Sequence, residues 1–271
     1  MLAWLWVGLL PAVITLGNLE PPARLEAVGF AGVAAVNGAN AVFGNPATIF
    51  PQHRLSVLGH YQGWYEVNDL RLLQTAVSTR LRSLALGLGI RRKGVADLYA
   101  ETTVALVLAM ERARLLGPGT LRMALRPRWF QVSAQDTAET WNASQWLLDA
   151  GVVYQGQRGA VGIHWENLAR ASLRLVEETQ QLARRTVVAA AWRLPANVTW
   201  SAAYVHWNGQ DLYRVGVEAW FTPGFALRFG LDEKYLTLGM GLTDGHWSFD
   251  FAGRNVFPMG AVYSLAVGYE W

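Results

Sequence analysis

Charged residues stand singly through most of this chain, and their spacing suits ion pairing rather than catalysis. Arg122, Arg126, Arg214, Glu218, Arg228, Asp250, Glu101 and Glu166 are each flanked by apolar or small residues, one position out of phase with them. Such groups can cross-neutralise in a confined interior or line a polar path for a solute. The residue patterns that catalysis uses do not occur: there is no Gly-x-Ser-x-Gly, no His-Glu-x-x-His and no phosphate-binding loop. His53, His60, His164, His206 and His246 are dispersed, none at metal-ligand spacing from another. The chain is therefore expected not to be an enzyme and to need no metal or other cofactor. One further cluster, Asn45-Pro46-Ala47 with Asn40 before it, has a local reading. Pro suits the first turn of a helix, and a preceding Asn side chain can cap its free amides. That cluster either builds a plug or takes part directly in gating.

The elements that must position these charges follow from composition. Of 271 residues, 52% are apolar, with 27 Gly, 13 Trp and no Cys. Beyond the N-terminus no stretch of about 20 apolar residues exists, so spanning helices are not expected. Cysteine's absence excludes disulfides, a lipoprotein anchor and thiolate metal sites. A net charge of +3 from scattered arginines makes nucleic acid an unsuitable partner. Leu2 to Leu16 form an apolar run of signal-peptide length followed by a polar, Pro-containing stretch; a buried N-terminal strand or helix is the alternative reading.

From residue 53 onward the pattern has period two. Tyr263, Leu265, Val267, Tyr269 and Trp271 alternate with Ser264, Ala266, Gly268 and Glu270. The same rhythm recurs at 54–66, 70–80, 83–92, 97–111, 120–133, 145–156, 159–167, 184–194 and 197–207, then at 213–221, 225–231, 236–242 and 247–251. Turn residues such as Pro223-Gly224, Asn208-Gly209 and Asp244-Gly245 punctuate it. The breaks near 134–144 and 168–183 read as loops, the second with the option of a short helix over Leu173 to Leu182. Arg126-Pro127-Arg128-Trp129-Phe130 reads as an interfacial anchor.

A strand with one greasy and one small or polar face suits a wall between lipid and water, and in lipid a sheet must close on itself. A water-soluble sandwich would also alternate, but the apolar leader, the aromatics at strand ends and the terminal aromatic favour the membrane. The expected fold is all-β: a closed antiparallel transmembrane barrel of about 14 strands (12 to 16), with both chain ends of the mature barrel near the periplasmic side. The expected organisation is signal peptide 1–17, plug 18–52 and barrel 53–271. Charge facing lipid at mid-depth costs about 2–4 kcal/mol for Arg, so the single charges should face the lumen, Arg214, Glu218, Arg228 and Asp250 in contact with opposite charges.

Ala27 to Ala47, AVGFAGVAAVNGANAVFGNPA, resembles the N-terminal signature of the FadL-like outer-membrane proteins, and more closely of their PorV/PorQ group. Tyr213-Arg214-Val215-Gly216-Val217-Glu218, Leu227-Arg228-Phe229-Gly230, Leu238-Gly239-Met240-Gly241-Leu242 and Phe249-Asp250-Phe251 resemble that group's C-terminal elements. The group's acidic residue before Asn-Pro-Ala is replaced by Asn37 or Asn40, and the chain is short, which implies reduced loops. The resemblance implies residence in the bacterial outer membrane, with lipid around the barrel. It implies either passage of a hydrophobic small molecule through a plugged barrel or a scaffold that partners secretion or envelope proteins. An apolar pocket under the plug would favour the first; a lumen closed by salt bridges, with an apolar patch on a rim, would favour the second.

Overall fold

The computed structural model describes residues 16–271 apart from 66, 68, 97, 114–117, 136–139, 176–177 and 234. The expected leader therefore lies outside the described residues except for Leu16 and Gly17. Fourteen strands close into an antiparallel barrel. They are β1 (Leu55–Trp64), β2 (Leu70–Leu81), β3 (Leu84–Val95), β4 (Tyr99–Ala113), β5 (Thr120–Gln135), β6 (Thr140–Gln155) and β7 (Gly159–Glu166), then β10 (Arg185–Leu194), β11 (Val198–Trp207), β12 (Gln210–Thr222), β13 (Phe225–Asp232), β14 (Tyr235–Thr243), β15 (Trp247–Val256) and β16 (Gly260–Glu270). β8 (Ser172–Leu175) and β9 (Glu178–Gln181) form a separate hairpin. Every alternating segment of the sequence is a wall strand. Closure comes from β1 pairing with β16, Val57 opposite Tyr269 and Tyr61 opposite Leu265.

Alternation becomes a two-faced wall. Leu86, Leu88, Ile90, Leu106, Leu108, Phe229, Leu236, Leu238, Leu242, Leu265 and Val267 are exposed on the outer surface. No water-soluble protein leaves so continuous an apolar band in solvent, and lipid is its natural cover. No helix among the described residues is long and apolar enough to cross a membrane; crossing is done by strands. Leu55 and Trp271 exchange backbone hydrogen bonds of 2.8 and 2.9 Å at one rim, called here the C-terminal rim.

Two expectations about the breaks change. The possible helix over Leu173 to Leu182 is instead the β8–β9 hairpin, with Ser172 opposite Gln181 and Leu175 opposite Glu178. A helix confined to Leu173 to Leu182 is shorter than the roughly 12–15 residues an isolated helix needs, whereas wall contacts stabilise the hairpin: the Gln145 side chain donates to the Ser172 carbonyl at 3.0 Å, and Leu173 packs with Phe130, Val132 and Leu147. Most of the expected loop at 134–144 is strand, because β5 runs to Gln135 and β6 begins at Thr140. The β4–β5 ladder pairs Ala105 with Arg128 and resumes only at Leu108 with Leu125. Pro127 sits in that gap, having no amide to donate.

The barrel's core lies inside it. The N-terminal segment contains α1 (Ala23–Ala27) and short 3-10 turns at Gly32–Ala34, Gly38–Phe43 and Pro46–Thr48. Leu19, Leu25, Val33, Val42, Phe43, Ile49 and Phe50 of this segment are buried against inward Ala and Val side chains of the wall, among them Ala76, Ala85, Val107, Ala189 and Val205. Small inward residues are what allow a second layer of chain to fit. The two ends of the barrel share the C-terminal rim, whereas the first described residues of the segment lie on the half away from it, Leu16 packing with Phe130, Val132 and Leu147. There the Arg128 guanidinium donates to the Gly17 carbonyl, as Arg91 does to that of Asn18 and Arg185 to that of Leu19.

Candidate functional site

Four groups of charge tie the inner segment to the wall. In the first, Glu20 pairs with Arg91 and, at 2.7 Å, with Lys93, while Lys93 lies directly across the ladder from Glu101. The second centres on Asp149. Its Oδ2 accepts from Arg126 and Arg128 Nε, each at 2.8 Å, and its Oδ1 accepts from the Asn167 amide at 2.8 Å. Arg126 also donates to the Val42 and Gly44 carbonyls at 2.7 and 2.9 Å, and Glu166 closes the group by pairing with Arg185. The third is Arg24, Glu218, Arg228 and Asp250. Glu218 takes Arg24 at 3.0 Å and Arg228 at 2.7 Å, and Arg228 reaches Asp250 at 2.7 Å. In the fourth, Asp232 binds Arg214 at 2.7 Å and Arg254 at 2.8 Å, and Arg254 lies 3.4 Å from Glu26. Both of these guanidiniums stack over the Phe30 ring of the inner segment.

All eight charges expected from the alternation face inward, the five Arg122, Arg214, Glu218, Arg228 and Asp250 together with Arg126, Glu101 and Glu166. Glu218 and Arg228 are ladder partners, as are Arg214 and Asp232 and, in the second group, Arg126 and Asp149. Directly opposed side chains lie about 5 Å apart, within reach of an ion pair. Arg122 stands nearest the C-terminal rim, paired with Glu111 at 3.3 Å and over the Phe50 ring. The five do not gather into one site. The expected interfacial anchor is corrected: Arg126, Arg128 and Phe130 are fully buried in the lumen, because a strand that places Leu125 and Trp129 outward must place them inward.

Asn45 caps the last 3-10 turn, its side-chain oxygen accepting from the Ala47 amide at 3.0 Å with Pro46 at the first position. This turn abuts Gly151, where a side chain would collide with Asn45, and Gly162, where a Cβ would lie 3.1 Å from the Asn45 side-chain nitrogen. Asn40 is half-buried and lines the cavity at the C-terminal rim. The sequence reading missed the charges on the inner segment itself, Glu20, Arg24 and Glu26, and also Asp149, Arg91 and Arg185. The wall residues were findable, since each falls on the inward phase of its strand; no periodicity marks those of the segment. At Glu20 burial is outweighed by Arg91 and Lys93, which hold its pKa below the ordinary carboxylate value. Burial prevails at Glu26 and pushes its pKa up, against Arg254 and the Ser264 hydroxyl.

Cavities are unevenly placed. Beneath the segment, around Phe30, Val33 and Val187, only about 10 Å³ is open. At the C-terminal rim a polar cavity of about 600 Å³ is lined by Asn40, Gln52, Ser56, Trp220, Ser248 and Glu270 among others. At the opposite rim Phe130, Val132, Leu147, Leu173 and Leu182 form an apolar cluster, with Leu16 and Tyr99 packed against it. Ala39 and Ala41 are buried, so cysteines placed there are expected to resist a membrane-impermeant maleimide in intact barrels and to react after denaturation. Ready labelling of both in intact barrels would show the segment outside the lumen.

No family model matches the sequence, and no curated protein is similar to it in sequence. Solved structures do resemble it. The toluene transporter TbuX of Ralstonia pickettii superposes with a TM-score of 0.64 at 14% identity, over 94% of this chain and 99% of that one. A FadL homologue of Pseudomonas aeruginosa gives 0.61 at 12%, with the same coverages. The toluene transporter TodX of P. putida gives 0.59 at 10%, again over 94% and 99%. At these identities the likeness is one of fold alone, the closed antiparallel barrel that the three proteins have in common with this chain.

Proposed function

We propose that the protein is a gated outer-membrane conduit for a hydrophobic small molecule, held shut in this conformation by residues 18–52 acting as a plug. The observation that carries the reading is the kind of contact that holds the segment. A permanent filling is most stable when apolar, because buried ion pairs rarely outperform well-packed hydrophobic residues. Here Glu20, Arg24, Glu26 and the carbonyls of Gly17, Asn18, Leu19, Val42 and Gly44 are the handles. Such groups can exchange protein partners for water, which suits a segment that moves. The apolar cluster at the opposite rim would receive the solute. TbuX and TodX, which share the fold, are toluene transporters, and a solute of that apolar character fits such a cluster. The C-terminal rim would then face the periplasm.

A second reading, a scaffold that partners secretion or envelope proteins, is favoured by one observation: the lumen is closed by salt bridges and has no ligand-sized apolar cavity among the described residues. Arg228→Ala separates the two. It leaves Asp250 without its guanidinium in a confined site, a loss of about 3 kcal/mol. In a conduit, uptake or conductance changes while the barrel persists. In a scaffold, thermal stability falls and no leak appears. An unchanged result on both measures would remove both readings.

A further inference from the structure

The cleft between the β6–β7 turn and the end of β10, at the C-terminal rim, holds more positive charge than its surroundings neutralise. It encloses about 150 Å³ and is lined by Arg24, Arg158, Arg193, Gln52, Gln157 and Asn37 on its polar side. Its one carboxylate, Glu218, is already shared between Arg24 and Arg228. Arg158 and Arg193 take part in no ion pair among the described residues. Their backbones are fastened together, the Arg193 amide donating to the Arg158 carbonyl at 2.7 Å. Two guanidiniums are thus brought to one cleft by the wall itself, without a counter-charge, where like charges repel. The amides of Gln52, Gln157 and Asn37 add neutral donors to the same space.

We infer that this cleft is a binding site for a phosphate-class dianion, taken either as the free ion or as the headgroup of a phosphorylated lipid. Two unpaired guanidiniums match a double negative charge, and their planar forks suit tetrahedral oxygens. The volume holds about five waters, enough for one phosphoryl group and its bridging waters but too little for a large solute. Arg24, the cleft's third cation, belongs to the inner segment, so an occupied cleft would sit against the plug. The site itself does not depend on any solute passing the barrel, and its test leaves the conduit reading untouched.

Inorganic phosphate titrated calorimetrically into the detergent-purified protein is expected to bind saturably at one site. Both arginines reach solvent, so Arg158→Gln and Arg193→Gln should each weaken binding by about threefold to fivefold, and together abolish it. Arg184→Gln, an exposed arginine near the other rim, should titrate as the parent does. In nanodiscs, loss of phosphate binding on adding phosphatidic acid, whose phosphomonoester can carry two charges, but not phosphatidylcholine, identifies a lipid headgroup as the occupant; binding indifferent to lipid identifies the free ion. Absence of saturable phosphate binding, or equal binding in the double variant, would overturn the assignment. Circular dichroism of the double variant confirms that its barrel is assembled, so lost binding is read as a lost site.

Discussion

Asp149→Ala is expected to lower the thermal unfolding midpoint by on the order of 10 °C and to loosen the inner segment. Asp149 is the carboxylate that both Arg126 and Arg128 reach, and all three side chains are fully buried. Removing it strands two guanidiniums where water does not reach, a loss of about 3–5 kcal/mol. The same carboxylate holds the Asn167 amide at the base of the β8–β9 hairpin connection, and Asn167 in turn donates to the Leu182 carbonyl at 2.9 Å. The hairpin and the start of the inner segment should therefore loosen together. Asp149→Asn keeps an acceptor without the charge and should fall between. The check is heat-induced mobility on semi-native gels, combined with protease nicking near residues 42–46, where Arg126 holds two carbonyls. A parental midpoint for Asp149→Ala would mean that the central charge group does not stabilise the closed barrel.

Gly230→Ala attacks the same packing from the wall side, without touching charge. A methyl group there would lie 2.1 Å from the Gly29 nitrogen and 2.3 Å from the Val28 carbonyl carbon. Both are backbone atoms of the inner segment, so no side-chain rotation relieves the contact. Gly29 answers from the other side: its φ of +61° and its 2.8 Å approach to the Leu231 backbone leave no room for a Cβ either. Overpacking of this kind costs about 1–3 kcal/mol or more, and the free way out is for the segment to leave the wall around Val28. The barrel ladder is expected to persist, because its backbone pairing does not involve the segment. Conductance in planar bilayers should rise if the segment is a gate. In a scaffold, the midpoint should fall instead. Gly59→Ala, where a methyl would meet nothing within 4 Å, is the matched control. Behaviour of Gly230→Ala indistinguishable from it would mean that the segment does not pack against β13 at that point.

Much of the wall was legible in the sequence because lipid imposes a strict period. Leu236, Leu238, Met240 and Leu242 could face outward only if Thr237, Gly239 and Gly241 faced inward, and the same phase placed Arg228 and Asp250 in the lumen. Short turns set only part of the register: the reversal at Pro223-Gly224 pairs Thr222 with Phe225, and a bulge between Trp220 and Thr222 then shifts the ladder by one, which is what brings Arg228 opposite Glu218. The reading failed where the phase was not followed through, as at Arg128, whose mixed basic and aromatic setting resembled an interfacial anchor although Arg126 two residues before it was placed inward. It also failed at 172–181, where a composition suited to helix was overridden by contacts with β6.

What the sequence determined by itself is therefore the wall: its strands, its greasy face, and which side chains turn inward. Each of these follows from local alternation and from the cost of exposing polar groups to hydrocarbon. What only the tertiary structure decided is how the lumen is filled. Glu20 meeting Lys93, Arg24 meeting Glu218 and Val28 lying on Gly216 and Gly230 join positions far apart in the chain. No period relates them, because an irregular segment threaded through a barrel takes its path from the shape and charge of the whole interior.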